Sequence, residues 1–247
     1  MSDSSGPGPI ELTKDAFVQS GRAAWAMTPI FGAIFAGFAL LALWQDALTV
    51  GAPKSLDAGR VAASLAIMVA SSGLTALLAV VVHRYILLRE IAGFADLPRL
   101  VPIVLEFAVV TLILQMIVAA VTLILVPIAL ASNSGFVFGV IITAVIVAAT
   151  YAGLRISLVF PAIAVETPGR SLRAAFRASR GAVLRLFLAA MMSALAITAA
   201  AVAVGALFAR APSVALVAEV AFDIAIIAVG VAIVSQVYAW RRRQPEE

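Results

Sequence analysis

Runs of about twenty apolar residues, each closed off by charge, leave this chain almost one folding option. Six such runs occupy residues 23–45, 61–88, 102–131, 136–155, 184–208 and 216–240. An α-helix rising 1.5 Å per residue needs about 20 residues to cross ~30 Å of hydrocarbon, and a helix satisfies its own backbone there. A water-soluble alternative fails on supply. Hydrophobic residues are 64% of the 247 and charged ones 12%, against roughly half and a quarter in a soluble domain. Too few polar side chains exist to clad such a core. The predicted fold is all-α: an integral membrane bundle of about six transmembrane helices.

The organisation along the chain follows from the punctuation. Residues 1–22 form a polar tail, Ser/Gly/Pro-rich and disordered over 1–9, with a short surface helix carrying Ile10, Phe17 and Val18 at helical spacing. The tail lacks the basic start and early apolar stretch of a removable signal peptide, so the first run reads as a retained helix. Trp25 and Trp44 lie 19 residues apart, roughly 29 Å along one helix, which would set one indole in each headgroup belt. The transmembrane domain extends over 23–240, with Pro102 in the first turn of helix three. Pro161 ends or kinks helix four. A short basic-acidic tail closes the chain at 241–247.

Charge sets the expected orientation. With both termini inside, cytoplasmic segments hold fourteen cations, from Lys14 and Arg22 through the Arg170–Arg185 cluster to Arg241–Arg243, and the outer loops hold only Lys54, Arg60 and Arg210. The opposite orientation would invert this positive-inside bias. The expected location is the inner membrane of a bacterium, both termini cytoplasmic. The basic pI has its origin in topology and gives no reason to expect nucleic acid.

Three groups of residues are candidates for a role. Arg170, Arg173, Arg177 and Arg180 are spaced 3, 4, 3, which on a helix puts them on one face beside Leu172, Phe176 and Val183. That pattern predicts an interfacial amphipathic helix between helices four and five, N-capped by Thr167 or Ser171. Its guanidiniums would contact anionic lipid phosphate, or serve simply as positive-inside anchors. Glu106 and Arg155 fall at one depth on adjacent helices and are predicted to form a structural ion pair. Glu219 and Asp223, four apart on helix six, stand level with Ser71 and Ser72 of helix two and Gln115 of helix three. These five would line a polar site in the outer half of the membrane or satisfy one another in packing.

Catalytic signatures do not emerge. The chain has no Cys, which excludes thiol catalysis, disulfides and Cys-ligated metal, and its one His, His83, excludes a two-imidazole site. His83 itself reads as a headgroup-level anchor. No cofactor is expected, and the leading reading is a non-enzymatic accessory or scaffold domain in contact with membrane lipids or an envelope partner. The alternative is a small-solute or ion transporter or channel subunit using the Asp223 site. Prolines cluster toward helix ends rather than at the midplane, which favours the first.

Two stretches, HRYILLRE at 83–90 and RISLVFPAIAVETPGRSLRAAFRASRG at 155–181, resemble a widespread group of bacterial multi-pass inner-membrane proteins. The second is also similar to YciC-like proteins and to the membrane domain attached to some glycerophosphodiester phosphodiesterases. The catalytic domain of the latter has no counterpart here, so the resemblance implies a six-helix membrane domain and no activity. Both stretches place Arg-x-x-Leu at the exit of an even-numbered helix, Arg84 and Arg155.

The topology is directly testable. A cytosolic reporter fused after residue 243 should be active and a periplasmic phosphatase there inactive. A Cys at Gly51, but not at Gly169, should label from the periplasm. The reverse labelling would contradict the six-helix, both-termini-in arrangement.

Overall fold

The computed structural model describes residues 6–49, 58–131, 134–168, 170–208 and 210–243. The far N-terminal tail, the loop carrying Lys54, Gly169 and the end of the C-terminal tail lie outside the described residues. Among the described residues the fold is all-α: α1 (Pro9–Ala26), α2 (Thr28–Thr49), α3 (Ala58–Leu88), α4 (Leu97–Ala131), α5 (Gly135–Ile156), α6 (Val159–Ala164), α7 (Leu172–Ala178), α8 (Val183–Leu207) and α9 (Pro212–Arg242). Six helical segments are long and apolar enough to cross a membrane: Thr28–Leu48, Ala58–Leu88, Phe94–Leu125, Phe138–Ala164, Val183–Leu207 and Ser213–Arg242.

Helix α9 and helix α3 form the centre. α9 packs against α1, α2, α3 and α8, while α3 also meets α4 and α6. The α3 side chains from Leu78 to Val82 are all buried, as are Val229, Ala232, Ile233 and Val237 of α9. Close approach has its own signature at Gly37, where a Cβ would stand 2.9 Å from Leu74 Cδ1. Away from this core the bundle presents apolar side chains outward: Leu123, Phe136 and Leu207 are 76%, 80% and 79% exposed. Surfaces like these are stable only against lipid.

Prolines set two boundaries that differ from the sequence expectation. The first span begins at Thr28 and not at Ala23, because the chain breaks at Met27, just ahead of Pro29. Pro29 has no N–H to give the carbonyl of Trp25. The Thr28 hydroxyl takes over, donating to that carbonyl at 2.8 Å. Trp25 therefore lies in the last turn of α1, 87% exposed, and the two tryptophans do not measure one continuous helix. α1 itself is no small surface element: Leu12, Ala16 and Ala23 are buried and Thr13 donates to the Ala189 carbonyl of α8 at 3.3 Å.

The second break falls at Ser157–Leu158, ahead of Pro161, where the Phe160 N–H bonds the Ser157 carbonyl at 3.2 Å in place of the bond Pro161 cannot make. This divides the fourth span into α5 and α6. α4 starts at Leu97, so Pro98 holds its first turn and Pro102 lies a turn inside.

Candidate functional site

Polar chemistry gathers at one end of the bundle, where α3 ends, α4 starts, α6 ends and α9 ends. We call it the basic end. Its hub is Arg84, the second residue of the first motif, with a side chain 9% exposed. Arg84 Nε donates to Glu90 Oε2 at 2.9 Å and Nη2 stands 2.7 Å from the same oxygen. Nη1 donates to the Ala164 carbonyl at 2.9 Å and to Glu166 Oε1 at 3.1 Å. Arg99, in the first turn of α4, bonds the other oxygen of Glu90. One guanidinium thus ties together the end of α3, the turn into α4 and the last turn of α6. The stretches 83–90 and 155–181 meet here, through Arg84 and Glu90 of the first and Ala164 and Glu166 of the second.

The backbone is shaped to allow this. Glu166 has φ 54° and Arg89 φ 58°, both in the left-handed region that non-glycine residues rarely adopt. At Glu166 the reason is explicit. The Glu166 N–H bonds the Ile163 carbonyl and the Thr167 N–H reaches the Ala162 carbonyl, closing α6 with the 5→2 and 6→1 pair usually made around a glycine. The carboxylate that a glycine would lack is what reaches Arg84. Thr167 then shares a 2.7 Å hydrogen bond with the Tyr238 hydroxyl, which joins this cap to α9.

His83 is a correction. Expected at headgroup level, it is 1% exposed inside the bundle. Its Nδ1 lies 2.7 Å from Ser235 Oγ, and Ser235 donates its single hydroxyl proton to the Val231 carbonyl at 2.8 Å. Ser235 must therefore accept, so Nδ1 carries the proton. The imidazole ties α3 to α9 and is tilted against Phe107 of α4, ring centres 6.1 Å apart.

The predicted Glu106–Arg155 pair does not form. Glu106 instead takes both bonds from Arg170, at 2.9 Å from Nε and 2.5 Å from Nη2, which raises the Arg170 guanidinium above its ordinary range. Arg155 turns the other way. Its guanidinium carbon sits 3.9 Å from the Phe176 ring centre on α7 and 5.9 Å from that of Tyr151. Glu106 and Arg155 are not level: Phe107 of α4 packs on Phe160, ring centres 4.6 Å apart, and Ile156 lies near Leu114, so Arg155 stands about two turns along α4 from Glu106.

The four-arginine face is also shorter than expected. α7 covers only Leu172–Ala178, capped by the Ser171 hydroxyl, which accepts from the Ala174 N–H at 3.1 Å. Arg173 and Arg177 share that helix and are exposed, beside exposed Leu172 and Phe176. Arg170 precedes it, held by Glu106, and Arg180 lies exposed in the turn beyond.

Of the expected outer polar site, part assembles. The buried Ser72 hydroxyl lies 2.8 Å from the Met68 carbonyl and 3.0 Å from Gln115 Oε1, its one proton shared between them, and Ser71 also donates to the Met68 carbonyl. Asp223 does not join them. Glu219, Asp223 and Ile226 lie at i, i+4, i+7 on an exposed stripe of α9, while Val220, Ile224 and Ala228 fill the core face. Among the described residues Asp223 makes no hydrogen bond or ion pair. Packing of Asp223 onto Ser72 or Gln115 is thereby overturned.

Comparison with protein-family models, with curated protein sequences and with solved structures finds no match.

The cap geometry makes a sharp prediction. Glu166→Gly loses an exposed ion pair, worth under ~1 kcal/mol, and gains about as much from an unstrained left-handed residue. Its thermal stability should match the parent. Glu166→Ala loses the pair and keeps the strain, and should fall by about 1 kcal/mol. Equal destabilisation by both would contradict a strained cap held by Arg84.

Proposed function

We propose that this chain is a non-enzymatic inner-membrane domain of a bacterial envelope, an accessory or scaffold whose basic end faces the cytoplasm and holds anionic lipid. The observation that carries the reading is the pairing of exposed Arg173 and Arg177 with exposed Leu172 and Phe176 on α7. A helix so built lies in a headgroup layer, its apolar side chains inward and its guanidiniums on phosphate. The rest of the basic end supports it by contrast. Arg84, Arg99 and Arg170 are matched with Glu90, Glu166 and Glu106, and His83 is committed to Ser235. Those groups hold helices together, which leaves the α7 cations to meet the surface. The positive-inside bias of the sequence supports the cytoplasmic assignment, and the motif resemblance to bacterial inner-membrane proteins supports the compartment. Both bear on a structural role and neither on a reaction.

The test uses purified full-length protein in neutral detergent. Phosphatidylglycerol should raise the unfolding temperature more than phosphatidylcholine does. Replacing Arg173, Arg177 and Arg180 by Gln should remove most of that difference, at roughly 1 kcal/mol of lipid interaction per residue. Equal response of parent and triple variant to both lipids would overturn the lipid-contact role.

A further inference from the structure

Arg155 is an anomaly beside the basic end. It is 7% exposed, yet among the described residues it makes no hydrogen bond and no ion pair, and its Nε is buried without a partner. A guanidinium taken out of water without a counter-ion is costly, and contact with aromatic faces offsets only part of that. The acids close by in the fold are already engaged: Glu106 with Arg170, Glu90 and Glu166 with Arg84. Among the described residues no carboxylate pairs with Arg155, which leaves its guanidinium open to a counter-ion from outside the chain.

Beside Arg155 a groove of about 550 Å³ opens between α4 and α5, its lining wholly apolar. Arg155 follows Ala148 and Ala152 by seven and three residues, so it stands on the helix face that those two present to the groove. The basic end of the groove is marked by Leu114 and Ile156, and it runs outward to Ile141. Fifteen residues of α5 separate Ile141 from Ile156, about 22 Å, which exceeds the ~15 Å of one leaflet's hydrocarbon.

We propose that this groove seats one acyl chain of an anionic phospholipid, with the headgroup phosphate as counter-ion to Arg155. The proposal names the ligand of the lipid-facing surface described above and rests on that reading. Small side chains, Ala148, Ala152 and Gly153, give the chain its trough, and Phe176 closes over the guanidinium at 3.9 Å. Arg173 and Arg177, exposed on either side of Phe176 in α7, add positive charge around the phosphate and favour a net-negative lipid over a zwitterionic one. A helix of a second copy would fill the groove with apolar side chains and bring no anion to Arg155.

Native mass spectrometry of the full-length protein, titrated with phosphatidylglycerol, tests this. One lipid per chain should bind at least roughly tenfold more tightly than the next. Arg155→Gln and Gly153→Phe should each reduce that first affinity about tenfold, while Arg155→Lys retains most of it and glycerol phosphate does not compete. A Cβ at Gly153 meets nothing within 4 Å, so Gly153→Leu is a milder block should the Phe variant fail to fold. Parent-like first binding in both Arg155→Gln and a Gly153 variant would overturn the proposal. If the Arg173/Arg177/Arg180 variant still lost its preference for anionic lipid, the surface reading would stand while the groove fell. Loss of a dimer on filling the groove would assign it to a second copy and also overturn the proposal.

Discussion

The buried guanidinium of Arg84 is the constraint around which the basic end is built. A charge at 9% exposure is tolerable only if its donors are met, and here the partners come from three separate places in the chain: Glu90 after α3, the open carbonyl of Ala164 at the end of α6, and Glu166 beyond it. Two of the three, Glu90 and Glu166, are brought there by an unusual turn of the backbone. Arg89 adopts a left-handed conformation just before Glu90, and Glu166 adopts one itself. Non-glycine residues held so cost on the order of 1–3 kcal/mol each, which persists only where surrounding contacts fix them. Arg84 supplies those contacts at both places. Next to it His83 fastens α3 to α9 through Ser235, and Thr167 fastens the same cap to α9 through Tyr238.

Packing follows this anchor. The buried residues concentrate in α1, α3, α6 and α9, whereas the outer parts of α4 and α5 expose Met116, Ile117, Leu123, Phe136 and Val140. A hairpin with so little protein around it depends on lipid for its neighbours, and toward the basic end it carries Arg155, a buried guanidinium with no ion pair among the described residues.

Much of this was legible in the sequence because hydrocarbon permits so few solutions. Six spans and their near ends followed from length and charge alone. The boundaries that moved, at Met27 and Ser157, moved for local reasons. Pro29 and Pro161 remove a donor, and the chain breaks a residue or more ahead of each, where a Thr hydroxyl or a tightened turn can serve the stranded carbonyl. Side-chain pairing was less legible. Depth along one helix can be counted from sequence, but neither the register of two helices nor the direction a side chain takes around its helix can. Glu106 and Arg155 part, one to Arg170 and the other to Phe176, because the packing of α4 on α5 and α6 sets them about two turns apart. Asp223 shares a level with Ser72 and points away from it. The hub was not legible either: Arg84 and Glu166 lie 82 residues apart in the two motif stretches, and nothing in their spacing pairs them.

If Arg84 organises the basic end, its removal should loosen elements that it does not adjoin in sequence. Hydrogen exchange of the full-length protein in detergent reads this directly. In Arg84→Gln, amides of residues 159–168 and of the Tyr238 end of α9 should exchange faster than in the parent, while those of α2 and the middle of α8 keep their protection. Unchanged protection across 159–168 would contradict the hub.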